Sequence, residues 1–366
     1  MQMDISERAR AFHRSAVVVD GHSDILLPVV QGFTTLMGPF TAADRERWQT
    51  VVDHEPAPAG SDDVPYATDS LSARIGPAGQ YELPLLEAGG VTAQCVALYM
   101  HEEHCDDALS IALRMIAALH RHVDEHADRC LLATSVADIR RAAAENKVAY
   151  ILTMEGAEPV GRHLEMFDIL RRLGLRMTTF THSRRNLLAD GTQMNITTGG
   201  LTHLGRQAVR RCEELGIVID TAHISDAGFW DLIEHAEKPI LCSHTSVLTL
   251  TPGYRAPWDE INSTYGMSKA EAIAKQGGLI GIVFFGMDSV GDLVNEADRI
   301  IEICGPEHVG LGSDYYGRAG FPSDMPDISY LPLLTQALME RGYDEPTLRL
   351  LLGENYLRIF EQVWGG

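Results

Sequence analysis

Residues 16–25 read "AVVVDGHSDI": an apolar, β-branched run that stops on Asp20, His22 and Asp24. Such a run, without in–out alternation, predicts a strand covered on both faces, as in a parallel sheet. Seven further runs of this kind follow: "VTAQCVALYM" (91–100), "VAYILTME" (148–155), "LRMTTFTH" (175–182), "GIVIDTAH" (216–223), "PILCSHT" (239–245), "LIGIVFF" (279–285) and "HVGLGSD" (308–314). Amphipathic segments separate them, the clearest at 106–129, 203–216 and 268–278, and the last two close on glycine, a common helix stop. Eight strands alternating with helices predict an α/β fold of the closed (β/α)8 TIM-barrel type. An open doubly wound sheet is the alternative, and no GxGxxG follows the first run to favour it.

Two stretches interrupt the alternation. Residues 31–80 carry Pro56, Pro58, Gly60, Pro65, Gly76, Pro77 and Gly79, which predicts a long excursion after strand 1. Residues 246–267 form a second excursion, after strand 6. Loops of this length in a compact fold are usually functional or disordered. With no repeat, low-complexity tract or linker, residues 1–366 are expected to form one domain.

The 366 residues are 45% hydrophobic and 22% charged, enough apolar material for a large core without staples. A formal charge of −21 disfavours nucleic acid and anionic membrane surfaces as partners. No stretch approaches the apolar length of a membrane span, and "MQMDISERARAFHRS" lacks a signal-type apolar segment, so a cytoplasmic protein is expected. The six cysteines are scattered without a CxxC pair and read as free thiols.

The polar residues cluster at one end of the strands. The first run ends in His22 and Asp24, the third in Glu155, the fourth in His182, the fifth in His223, the sixth in His244 and the eighth in Asp314. In a (β/α)8 barrel all C-terminal strand ends open on one face, where catalytic groups gather. A lone strand-end histidine is more often a hydrogen-bonded structural residue than a ligand. Seven ionisable side chains together, however, are costly to bury unless something compensates them. A metal centre does so. His22, His223 and His244 with Asp24, Glu155 and Asp314 are too many ligands for one tetrahedral zinc and suit two ions with a shared carboxylate. His22 and Asp24, at i and i+2, share a strand face and could grip one ion. His223 and His244, from adjacent strands, could hold the other, with Glu155 as bridge. Imidazole and carboxylate donors favour Zn²⁺, with Mn²⁺ and Co²⁺ as the alternatives. Such a site yields hydroxide at neutral pH, with Asp314 as proton carrier and His182 as oxyanion stabiliser. The predicted chemistry is hydrolysis at a carbonyl or phosphoryl centre.

The blocks "DGHSD", "MEGAEP", "LGLRMTTFTHSRRNLLADG", "GGLTHLGRQAVRRCEELGIVIDTAHISD", "PILCSHTSV" and "HVGLGSDYYG", in this order, resemble the membrane (renal) dipeptidase family of the amidohydrolase superfamily. The resemblance runs from "VVDGHSD" through "LLGENYLRIF". It implies two zinc ions per chain, bridged by Glu155 and a hydroxide. By the family's pattern His22, Asp24 and Asp314 would contact the first ion, and His223 and His244 would bind the second. Asp314 would act as acid and base, and His182 would contact the scissile carbonyl. Arg255, eleven residues after His244, would grip the substrate's terminal carboxylate, to which a guanidinium fork is suited. The implied substrate is a dipeptide, including ones with a D-residue at the C-terminal position, and the implied assembly is a homodimer, although no interface signature is legible.

Departures from the pattern are visible. Ser23 stands where the family usually has asparagine. "SRRNLLADG" replaces an asparagine-rich stretch, so Arg184 and Arg185 add charge near the expected pocket, where surface solvation is the plain expectation for both. The insertion after Arg255 blurs its register. A related hydrolase of N-acyl amino acids, other small amides or lactones is the alternative reading, and a noncatalytic barrel is disfavoured by the intact ligand set.

Overall fold

The computed structural model describes residues 5–38, 43, 79–100, 102–194, 199–247, 258, 260–316 and 321–365. Nine short runs form strands: β1 (Val19–Asp20), β2 (Ala93–Tyr99), β3 (Cys130–Leu132), β4 (Val148–Glu155), β5 (Leu175–Thr179), β6 (Val218–Asp220), β7 (Cys242–Thr245), β8 (Ile280–Ile282) and β9 (Val309–Leu311). All their pairings are parallel, in the order β6-β5-β4-β2-β1-β9-β8-β7. A bridge between Asp220 and Leu241 joins the two ends of this order, with Thr221 N donating to Leu241 O at 2.7 Å. The eight strands expected from the sequence therefore close into a (β/α)8 barrel. Strand β3 is additional and, among the described residues, pairs with the start of β4.

Alternation along the strands sorts side chains into two layers, because successive residues point to opposite faces. Ala93 and Cys95 of β2, Ala149 and Ile151 of β4, and Val218 of β6 join one apolar cluster inside the barrel. Val96, Leu98, Tyr150, Leu152, Met154 and Ile219 belong to the larger cluster between sheet and helices. Glu155 shares its parity with Ala149 and Ile151, so the strand that buries them aims this carboxylate inward. Tyr99 shares the parity of Ala93 and Cys95.

Local signals set the helices. Thr202 caps His203–Leu215, accepting from Gly205 N at 3.0 Å. Ser268 and Glu271 form a reciprocal capping box at the start of Lys269–Lys275. The helix expected over 106–129 is shorter, Ala108–Glu125, and the chain turns before entering β3. The last helix, Asn355–Trp364, sends Tyr356 into the barrel interior, where its hydroxyl donates to Leu311 O at 2.8 Å. Space for that ring exists because Gly21 lacks a Cβ, which would sit 1.9 Å from the Tyr356 oxygen. Most of the excursion at 31–80, and residues 248–257 of the second, lie outside the described residues.

Candidate active site

The strand ends bring the expected residues together. His22 and Asp24 follow β1, Glu155 ends β4, His244 lies in β7, and His182, His223 and Asp314 stand three residues beyond β5, β6 and β9. Around His22 Nε2 lie Asp24 Oδ2 at 3.6 Å, Glu155 Oε2 at 3.6 Å and Asp314 Oδ1 at 3.8 Å. Around the other Glu155 oxygen lie His223 Nε2 at 2.9 Å and His244 Nε2 at 3.6 Å, the two imidazole nitrogens being 2.9 Å apart. Glu155 thus divides its two oxygens between two donor groups. The His182 ring packs 4.3 Å from His223 and 4.8 Å from Tyr99, centre to centre. Arg255 lies outside the described residues.

Backbone geometry at two of these positions is unusual. His223 and Asp314 adopt left-handed φ angles of 60° and 62°. Aspartate tolerates that region better than most residues, whereas for histidine it carries a cost that neighbouring contacts must offset. Thr192 N donates to His223 O at 2.8 Å, and Asp314 N donates to His22 O at 3.3 Å. Beneath them, Asp20 accepts from Ser313 N at 2.8 Å, from Ser313 Oγ at 2.5 Å and from the Tyr81 hydroxyl. Burial raises the Asp20 pKa, although the Ser313 and Tyr81 hydrogen bonds oppose it. Asp20 therefore fastens β1 to the segment that carries Asp314.

The electrostatics favour a bound cation. Burial alone would lower the His22 pKa, but the charges of Glu155 and Asp24 outweigh it and raise it well above the usual histidine range. Burial would likewise raise the Glu155 pKa, but His22 and His223 hold it well below the usual carboxylate range. The two shifts are one attraction seen from either side, in which the carboxylates of this buried cluster draw positive charge to His22. His22 Nε2 is buried and makes no hydrogen bond, its three carboxylate neighbours standing just too far away. Metal–donor bonds of about 2.0–2.2 Å place neighbouring donors roughly 3–3.5 Å apart, close to the spacings found here. His22, Asp24 and Asp314, like His22, Glu155 and His244, have donor atoms within 4.8 Å of one another, as do Glu155, His182 and His223. The residues fit a metal centre.

A family model, that of the membrane dipeptidases (peptidase family M19), matches residues 6–364. The chain belongs to the membrane dipeptidase family. Membership makes this M19 protein a metal-dependent dipeptidase in reaction class. It is similar to the dipeptidase ataJ of Aspergillus terreus, 28% identical over 330 residues that cover 78% of this chain and 77% of that protein. Among solved structures it resembles dipeptidase AC, an M19 metallopeptidase, at 26% identity and a TM-score of 0.76 over 96% of this chain and 99% of that one. A Rhodobacter sphaeroides metallopeptidase, liganded with a phosphinate mimic of the dipeptide L-Ala-D-Ala, shares the fold at 24% identity and a TM-score of 0.76, covering 95% and 99% of the two chains.

Several features of this M19 site were not legible in the sequence. Tyr99 ends β2 against His182, yet its run looked uniformly apolar; the parity with Ala93 and Cys95 was the available signal. Asp220 of β6 and Ser243 of β7 lie behind His244 within ordinary strand runs. Arg185 is exposed, and its guanidinium also grips both oxygens of buried Asp190, one of them at 2.8 Å. Arg184 is half-buried, with Nη2 3.7 Å from Cys105 Sγ. No helix among the described residues is long and apolar enough to cross a membrane.

Proposed function

We propose that this chain hydrolyses the peptide bond of dipeptides, including those with a C-terminal D-residue, with two zinc ions at the barrel mouth. The observation that carries the reading is the division of Glu155, with Oε2 facing His22 and Oε1 facing His223 and His244. A single carboxylate serving two donor groups is what two adjacent ions require. His22, Asp24 and Asp314 would hold the first zinc, His223 and His244 the second, and Glu155 both. When bound, the ions supply Lewis acidity and lower the pKa of water so that it attacks at neutral pH.

The chain's own groups do the rest. Asp314, with 12% of its side chain exposed, is within reach of both solvent and the buried cluster. Its carboxylate takes a proton from the attacking water and returns it to the departing amine. His182, half-buried between Tyr99 and His223, donates a hydrogen bond to the carbonyl oxygen as negative charge develops there. Arg255 is proposed to hold the terminal carboxylate. With both ends of the substrate held, little need touch the second side chain, which accounts for tolerance of a D-residue. The L-Ala-D-Ala mimic in the Rhodobacter sphaeroides protein supports including such substrates.

The test is a panel of L,L and L,D dipeptides with free amino acids as the readout, run on zinc-loaded protein whose metal content is measured. We expect amino-acid release and about two zinc ions per chain. No release across the panel overturns the proposal, and turnover of N-acyl amino acids far above that of dipeptides would move the substrate class.

A further inference from the structure

Two aspartates at strand ends, Asp20 on β1 and Asp220 on β6, each hold a serine that precedes a candidate ligand on the neighbouring strand. Asp20 takes the backbone and side chain of Ser313, just before Asp314. Asp220 Oδ1 accepts from Ser243 N at 2.9 Å and from Ala222 N at 3.0 Å. The second arrangement reaches one atom further, because Ser243 Oγ also lies 2.8 Å from His244 Nδ1. Asp220, Ser243 and His244 are all buried, which leaves bulk water little part in the network.

A hydroxyl has one hydrogen, so two assignments are open to this chain of atoms. If Ser243 donates to His244 Nδ1, the imidazole carries its proton on Nε2, pointing at His223 Nε2 and Glu155. If the Ser243 hydroxyl proton points away from the ring instead, its oxygen accepts from Nδ1–H and the Nε2 lone pair faces the cluster. A metal held at Nε2 needs that lone pair, so the second assignment is the one a metal-binding His244 requires. Histidines that bind metals commonly pass their other N–H to a carboxylate or carbonyl, which fixes the ring and its tautomer. Here the hydroxyl of Ser243, whose backbone N–H Asp220 holds, takes that place.

We propose that Asp220 and Ser243 are positioning residues that hold His244 as its Nδ1–H tautomer, with the Nε2 lone pair directed at the second metal ion. The inference rests on the two-metal reading of the site. It gives the β6–β7 seam, where the bridge from Asp220 to Leu241 closes the barrel, a second role, because the residue that closes the ring also orients a ligand.

The experiment titrates metal-free wild type, Ser243→Ala and Asp220→Asn with zinc against a chromophoric chelator. Ser243→Ala removes only the hydroxyl, and Asp220→Asn replaces an acceptor oxygen with a donor group of the same shape. Both variants are expected to keep one zinc ion at wild-type affinity and to bind the other about 10–100-fold more weakly. Two ions bound with unchanged affinity in both variants, or equal weakening of both ions, would overturn the relay. A wild type that takes up no second zinc removes the two-metal reading and the relay with it. Unchanged variants beside a two-zinc wild type remove the relay alone.

Discussion

At the residue scale, Asp314 combines a left-handed backbone with a carboxylate 3.8 Å from His22 Nε2. Asparagine has the same shape and also tolerates that backbone region, so Asp314→Asn isolates the carboxylate's chemistry from its structural role. We expect this variant to retain most of its zinc while turnover falls by about 10²–10⁴-fold, the usual contribution of a positioned acid–base group. Zinc content and kcat measured on the same preparation check it, and unchanged turnover would remove Asp314 from proton transfer. Glu155 is the contrasting case. Its charge is balanced by His22 and His223 on either side, so its burial is tolerable only inside this cluster.

At the element scale, the strands meet so closely under the site that side chains are excluded. A Cβ at Gly312, just past β9, would lie 1.8 Å from the Ser243 carbonyl oxygen of β7. The obstacle is backbone, which cannot swing aside as a flexible side chain would. Gly312→Ala is therefore expected to destabilise the fold by about 3 kcal/mol, at the upper end of ordinary overpacking, by forcing β7 and β9 apart. Denaturant unfolding measures this, and a loss within ~0.5 kcal/mol would mean that the seam has slack.

At the scale of the whole molecule, buried His13 ties the first helix, Glu7–Ser15, to distant parts of the chain. Its Nε2–H donates to Gly89 O at 2.8 Å, and its Nδ1 accepts from the Thr335 hydroxyl at 2.7 Å. That pairing needs the neutral ring, and burial lowers the His13 pKa from 6.5 to about 4. The unfolded chain therefore binds more protons than the folded one between these values, and stability is lost as pH falls from about 6.5 towards 4. The full effect is about 3 kcal/mol. Denaturation midpoints at pH 7 and pH 4.5 should differ less for His13→Gln than for the wild type. An identical acid sensitivity in both proteins would assign the loss to other groups.

The sequence by itself determined the barrel and most of the residues gathered at its mouth, because continuous apolar runs ending in His, Asp or Glu announce both a buried parallel strand and its polar end. The eight expected strands are the eight that close the ring; β4 spans its whole apolar run, and the other seven are shorter than theirs. Strand β3 escaped because "CLL" follows directly on an amphipathic helix pattern that masks it. Arg255, expected to bind the substrate's carboxylate, was legible only through family resemblance and falls outside the described residues. What only the tertiary structure decided is which atoms meet. The division of Glu155 between two donor groups, the contact of Tyr99 with His182 and the Asp220–Ser243–His244 chain all join residues from different strands. Their spacing in sequence carries no trace of that, since closure of the barrel, not the local pattern, sets the distance between strand ends.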